Sequence, residues 1–124
     1  MSVHIVRLGS ARGSTEGLRI GTVRRPPRGV KREDYAAGNW YDVWLPLLAP
    51  SAESASDWAR FARRYRAEMA RPEARRTLDL LAALSHQTNF AVGCYCADAA
   101  RCHRSLLGAL LAECGAELAT IAES

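Results

Sequence analysis

Residues 90–111 have the sequence FAVGCYCADAARCHRSLLGALL. The apolar run at its start predicts a buried strand over 90–95, and the apolar spacing at its end predicts a helix over 99–114. Gly115 is suited to a left-handed helix end, and 117–121 has the composition of a final strand. Together these elements predict a βαβ unit with parallel strands and a right-handed crossover. The unit indicates an α/β domain.

The segments before this unit add further strands. Val3 to Leu8 and Leu18 to Val23 have the β-branched or alternating character of strands. A small, polar stretch between them predicts a loop. The segment 35–50 contains several aromatic residues without a clear period, which favours a loop or a short helical turn over the core.

Two helical stretches lie between these strands and the βαβ unit. Ser54 and Asp57 have capping-box spacing and predict a helix start. Its apolar face consists of Trp58, Phe61, Ala62, Tyr65 and Met69. Pro72 interrupts this helix, and a second helical stretch follows over 73–84. The predicted fold is a single α/β domain over 1–124, with a mostly parallel sheet in two or three layers.

Composition limits the classes of function. The chain is 48% hydrophobic and 24% charged, which is typical of a globular domain. No apolar run approaches the roughly 20 residues that span a bilayer, so we expect no membrane association. The N-terminus has no basic segment followed by an apolar one. We therefore expect a cytoplasmic protein with reduced cysteines and no cofactor.

Charge is concentrated near the N-terminus. The first 32 residues hold eight basic side chains and one acidic side chain, Glu16. This asymmetry predicts a basic face, whose partner is a small anionic or phosphorylated ligand or a nucleic acid. In the nucleic-acid interpretation, Trp40, Tyr41 and Trp44 stack on bases; in the alternative they are core residues. A third interpretation is a partner-binding protein without catalysis.

The strand-to-helix junction over 94–105 is the candidate site. Open α/β sheets bind ligands where strands end, and the first N–H groups and dipole of a helix attract anions. Arg101 and Arg104 add guanidinium groups beside those donors and would favour a phosphate or carboxylate ligand. In the alternative interpretation, both side chains are simply solvated. If strand 18–23 lies beside strand 90–95, Arg24 and Arg28 lie at the same crevice as the end of strand 90–95. The candidate ligand-binding residues are Arg24, Arg28, Cys94, Arg101, Arg104 and Ser105.

Two residues of the junction are candidates for chemistry. His103 falls on the apolar arc of the helix and faces the sheet, where it is either a core residue or a catalyst. Cys102 lies near the helix N-terminus, where its thiol could have a lowered pKa. Asp98 is the natural N-cap. We expect no metal, with Cys94, Cys96 and His103 as the alternative ligand set.

Three segments of the chain resemble one family. The first is Cys94-Tyr95 with Asp98 and then Cys102-His103-Arg104-Ser105-Leu106-Leu107. The second is Arg19-Ile20 leading to Arg24 and Pro27-Arg28-Gly29-Val30-Lys31. The third is a helix with Phe61, Tyr65, Glu68 and Met69. Together they resemble the YeaO-like proteins, a bacterial domain-of-unknown-function 488 family.

The resemblance implies a compact α/β domain and supplies no reaction. It also implies that six residues form one recurrent constellation: Arg24, Arg28, Cys94, Cys102, His103 and Arg104. The sequence departs from the family pattern at three positions. Val23 replaces an Asp, Pro26 replaces a Trp, and Cys96 stands where a polar residue such as Glu often follows. If that Asp acts in relatives, this chain has lost it.

Overall fold

The computed structural model of the chain describes residues 1–51, 57–95 and 103–119. Its four strands are β1 (Val3–Arg7), β2 (Leu18–Gly21), β3 (Val43–Trp44) and β4 (Phe90–Cys94). Its three α-helices are α1 (Trp58–Met69), α2 (Pro72–Leu84) and α3 (His103–Glu113). Short 3-10 turns cover Arg32–Asp34 and Pro46–Leu48. No helix of the described part is long and apolar enough to cross a membrane.

The sheet has the strand order β1-β4-β2-β3, and every pair of neighbouring strands is parallel. Ile20 of β2 lies opposite Val92 of β4 on one side and opposite Val43 of β3 on the other. The prediction of a small, mostly parallel α/β domain is confirmed. Because the strands are parallel, their carboxyl ends share one edge of the sheet. The expected adjacency of the 18–23 and 90–95 strands is confirmed as well.

The helices cover one face of the sheet. Their shared core consists of Val3, Ile20, Leu48, Tyr65, Met69, Ala74, Leu78, Leu81, Phe90, Val92, Leu107 and Leu111. Asp57 caps α1, its carboxylate accepting the N–H of Arg60 at 3.0 Å. Pro72 occupies the first turn of α2, where a missing N–H costs no hydrogen bond. The predicted capping box would start the helix at Ser54 and put Asp57 in its first turn. That start is wrong, because Asp57 has an extended backbone and is itself the N-cap, and Ser54 lies outside the described residues.

An irregular layer of aromatic residues covers the other face. The buried residues there are Leu8, Val23, Tyr41 and Cys94, with Val6, Tyr35, Trp40 and Tyr95 packed against them. The domain therefore has three layers, the third being loop rather than helix. The expected aromatic-rich loop over the core is confirmed for 35–41. Strand β3 was not predicted, because two exposed residues are too short for a pattern to show; backbone pairing with β2 creates it.

A buried ion pair holds the irregular layer together. Arg19 is fully buried, and its Nε donates to the carboxylate of Glu16. Its Nη1 donates to the carbonyl oxygens of Ser10 at 2.8 Å and Asn39 at 2.6 Å. Burial by itself raises the pKa of Glu16, but hydrogen bonds from Arg19 and the Gly13 N–H outweigh it, and the net pKa is lowered. One guanidinium group thus joins three loop segments.

The expected final strand over 117–121 is reduced to a bridge. Leu118 forms one isolated parallel bridge with Val3, and the Val3 N–H donates to the Glu117 carbonyl at 2.8 Å. Residues 120–124 lie outside the described part. The predicted helix C-terminus is confirmed, because Gly115, in the two-residue turn that follows α3, has a φ of 96°. The first turn predicted at 99–102 also lies outside the described residues.

Candidate anion-binding site

A cavity of about 940 Å³ opens at the carboxyl edge of the sheet. It is lined by Arg7, Leu8, Gly9, Ser10, Arg25, Pro26, Pro27, Arg28, Trp40 and Tyr95. Arg7 is the last residue of β1, and the others lie in the segments that follow β1, β2 and β4. After β2 the chain continues to β3, at one side of the sheet. After β4 it continues to Leu118, which pairs with Val3 of β1 at the other side. Such a reversal of direction between neighbouring strands marks the crevice where open α/β sheets bind ligands.

Among the described residues, three arginines surround this cavity. Arg7, Arg25 and Arg28 are exposed, and no carboxylate occurs among the described lining residues. Within the described part of the chain, none of the three forms an ion pair. A concave surface lined by charges of one sign attracts counter-ions. Guanidinium groups match the geometry of phosphate and carboxylate oxygens.

Tyr95 connects the walls of the cavity. Its hydroxyl donates to the carbonyl oxygen of Arg25 at 2.9 Å, and its own carbonyl accepts from Arg7 Nε at 3.4 Å. Burial, followed by the neighbouring Tyr41 and Tyr35, raises the pKa of Tyr95. The phenol therefore stays protonated and remains a donor at physiological pH. In this way one residue after β4 positions the segment after β2 and contacts the last residue of β1.

An aromatic pair forms the apolar wall. The rings of Trp40 and Tyr95 meet edge to face, with centroids 5.8 Å apart and planes at 78°. Trp40 is brought here by the Gly9 N–H, which donates to the Asn39 carbonyl at 2.9 Å. Gly9 has a φ of 93°, and a Cβ at this position would lie 2.9 Å from the indole ring. Glycine is therefore required where the loop passes Trp40.

His103 is buried at the start of α3 and faces the sheet, as its place on the helix predicts. Its Nε2 lies 2.8 Å from the Thr22 carbonyl oxygen, and because a carbonyl can only accept, Nε2 carries the proton. The Thr22 hydroxyl donates to the Gly93 carbonyl at 2.9 Å. The Tyr65 ring packs against the imidazole, with centroids 5.5 Å apart. These contacts anchor α3 to β2 at the carboxyl edge.

The other junction residues differ in their position and burial. Cys94 ends β4 and is buried beside Leu8 and Val23. Arg104 is buried on the inner face of α3, whereas Ser105 is exposed. Arg104 is not among the described residues that line the cavity. The remaining predicted residues, Cys96, Asp98, Arg101 and Cys102, lie outside the described part of the chain.

Arg24 and Arg28 line different cavities. Arg28 lines the 940 Å³ cavity, whereas Arg24 lines a smaller one of about 300 Å³ against Glu68 and Arg71 of the helical layer. The Arg24 guanidinium donates to the Ser51 carbonyl at 2.9 Å. The two arginines are four positions apart with Pro26-Pro27 between them, where the rigid proline backbone redirects the chain. The predicted constellation is therefore brought together only in part.

The described residues contain no group of three or more His, Cys, Asp or Glu side chains arranged to hold a metal ion. Two members of the alternative ligand set, Cys94 and His103, lie on β4 and α3. The third, Cys96, is outside the described residues. That alternative stays a prediction.

Sequence reasoning missed Arg7, Arg25, Trp40 and Tyr95 as members of one site. Arg7 is the last residue of β1, so the rule that pointed to the end of β4 also applies to it. Arg25 directly follows Arg24 and precedes the two prolines. Trp40 had no such signal, because only tertiary folding brings the segment 35–41 against the ends of β1 and β4.

Comparison with known proteins gives a match to one family model. The model described as the active DUF488-N3 subclade matches residues 3–115. No curated protein and no solved structure matches the chain significantly. The matched range runs from the start of β1 to the turn after α3, and it contains every described residue that lines the cavity. The chain therefore belongs to the DUF488 family.

Proposed function

We propose that this protein binds a small phosphorylated anion in the cavity beside the 94–105 junction. The observation that carries the proposal is the cluster of Arg7, Arg25 and Arg28 around a concave surface whose described lining has no carboxylate. Arg28 belongs to the predicted ligand-binding set, and Tyr95 makes the junction part of the cavity wall. Arg24, Cys94, Arg101, Arg104 and Ser105 remain predicted contributors from the sequence.

Electrostatics favour an anion here. The three guanidinium groups that the described lining contributes have the same charge, and a bound anion would neutralise them. Each charge-assisted hydrogen bond to a phosphate oxygen contributes about 1.5–3 kcal/mol. By contrast, Arg19 is already saturated by Glu16 and loop carbonyls and has no capacity for a ligand. The cavity arginines have that capacity.

Nucleic acid is the second candidate function. One observation favours it: Arg63 and Arg64 of α1 are exposed and form no ion pair within the described residues. Binding to phosphates along a strand would fall steeply as salt concentration rises. The aromatic part of this interpretation is altered by the structure, since Tyr41 is only 3% exposed and belongs to the core. Trp40 and Trp44 remain accessible in part.

Calorimetric titration with inorganic pyrophosphate tests the first proposal. We expect saturable binding by the wild-type protein and a loss of at least about 10-fold in affinity for the double variant Arg25→Ala/Arg28→Ala, given the worth of charged hydrogen bonds. The matched control is Arg63→Ala/Arg64→Ala, which removes the same net charge from α1. Equal weakening in both double variants would mean that net charge, not the cavity, attracts the anion.

The same preparations distinguish the second candidate. A random single-stranded oligonucleotide is titrated at several salt concentrations. If the α1 variant loses oligonucleotide affinity while the cavity variant retains it, the basic helix is the nucleic-acid surface. Absence of binding to both pyrophosphate and oligonucleotide would reject both candidates and leave the partner-binding interpretation.

A further inference from the structure

The cavity is chemically divided into two parts. Arg7, Arg25 and Arg28 provide its cationic part. The apolar part consists of Leu8, Pro26, Pro27, Trp40 and Tyr95. A ligand that uses both parts has an anionic end and an apolar body.

The size of the cavity favours a ligand larger than a bare oxyanion. Ligand pockets typically enclose about 300–1,000 Å³, and the cavity, at about 940 Å³, is at the upper end of that range. A single phosphate group would occupy a small part of that space and leave the apolar wall in contact with water. Burying that wall against a second, apolar group adds a favourable hydrophobic contribution.

The aromatic wall defines that second group. Trp40 is half-buried, and its edge-to-face contact with Tyr95 and its close approach to Gly9 fix its orientation. A rigid aromatic ring beside guanidinium groups is the combination that stacks a nucleobase while its phosphate is neutralised. An aliphatic group on the ligand would bury apolar surface against this wall, but it would not stack on the Trp40 ring.

We infer that the ligand is a nucleotide, with its phosphate held by Arg7, Arg25 and Arg28 and its base against Trp40. The inference rests on the proposed anion site and specifies its substrate class. A free nucleoside monophosphate and the 5′-phosphorylated end of a strand share this chemistry. In either case, Tyr95 holds the Arg25 segment in place through its hydroxyl and contributes an edge to the aromatic wall.

The test compares AMP and UMP with ribose 5-phosphate, which lacks a base. Stacking on an aromatic side chain is worth about 1–3 kcal/mol per base, so the nucleotides should bind about 5- to 150-fold more tightly than ribose 5-phosphate. Trp40→Leu should abolish this difference while it retains ribose 5-phosphate binding. The control Trp44→Leu alters an exposed indole on β3 that does not line the cavity, and it should retain the full difference.

A fluorescence measurement keeps the test decisive if Trp40→Leu fails to fold. In a Trp44→Phe/Trp58→Phe background, Trp40 is the sole tryptophan, and AMP should quench its emission while ribose 5-phosphate should not. Equal affinity for nucleotide and ribose 5-phosphate would overturn base recognition and leave the anion site intact. Failure of every phosphate ester to bind would instead reject the anion site itself.

The source of the nucleotide is resolved with a 5′-phosphorylated hexanucleotide and its unphosphorylated counterpart. Tighter binding of the phosphorylated strand than of AMP supports a strand end as the ligand. Weaker binding of the strand than of AMP supports a free nucleotide. If the unphosphorylated strand binds as tightly as the phosphorylated one, the phosphate is not recognised and the inference fails.

Discussion

Two loop regions of this domain use arginine in opposite ways. Arg19, beneath the irregular layer, is completely buried, and Glu16 and several loop oxygens accept hydrogen bonds from its guanidinium group. Arg25 and Arg28, on the rim after β2, are exposed and pair with no carboxylate in the described chain. A guanidinium saturated by the protein stabilises the fold, whereas an unsaturated one in a cavity is available to a ligand.

The largest effect is expected from Arg19→Met. Removal of one partner of a buried ion pair leaves the other charge uncompensated and costs about 3–5 kcal/mol. Urea unfolding should show this loss of stability. Arg60→Met is the control, because its side chain is 73% exposed and its contact with Asp57 is a surface pair worth less than about 1 kcal/mol. Equal losses in both variants would remove the distinction between the two kinds of arginine.

Glycine substitutions compare the stability of the same two regions, the loops around Arg19 and the rim after β2. Gly17 lies beside Glu16 with a φ of 78°, and a Cβ there would overlap the Asn89 carbonyl oxygen. Gly29, on the rim, has a φ of 71° and open space around it. Left-handed strain costs roughly 1–2 kcal/mol, and the overlap adds about 1–3 kcal/mol at Gly17 only. Thermal unfolding should therefore rank Gly17→Ala well below Gly29→Ala in stability.

Tyr95→Phe tests the link between the rim and the sheet. Without the hydroxyl, the Arg25 carbonyl loses a hydrogen bond of about 0.5–1.5 kcal/mol, and the Arg25–Arg28 segment is less well positioned. Pyrophosphate affinity should fall about 2- to 10-fold by the same relation. Tyr35→Phe is the control, since the Tyr35 hydroxyl makes no hydrogen bond within the described residues. Unchanged affinity in Tyr95→Phe would mean that the tyrosine does not position the rim.

The smallest effect concerns acid stability. Burial raises the pKa of Asp42, but hydrogen bonds from the Arg12 side chain and the Arg19 N–H outweigh it, and the net pKa is lowered. A carboxyl whose pKa is lowered in the folded protein stabilises the fold at pH values above its ordinary pKa of about 3.9. This stabilisation is lost as the pH falls through the lowered pKa of the folded state. Asp42→Asn should flatten the fall in stability below about pH 4. An unchanged slope would contradict this role of Asp42.

The sequence predicted the periodic parts of the fold well. Strong patterns located the strand over 90–95 and the two helices around Pro72, and the strand-end rule pointed to the edge of the sheet where the candidate cavity opens. The irregular layer could not be predicted in detail, since it depends on long-range contacts such as that between Arg19 and Asn39.

The candidate site was predicted less completely for the same physical reason. Arg28 and the end of β4 could be found from local sequence, but Trp40 reaches the cavity only through loop-to-loop hydrogen bonding. Arg104 lies inside because α3 is covered by both the sheet and the other helices, which widens its buried face beyond a single apolar stripe.

The most direct test of the account is an NMR titration that observes the arginine Nε–H groups as pyrophosphate is added. We predict saturable shifts for Arg7, Arg25 and Arg28 and none for Arg19, whose Nε is held by Glu16. Shifts confined to the arginines of α1, or equal small shifts at every exposed arginine, would contradict an anion site in the cavity.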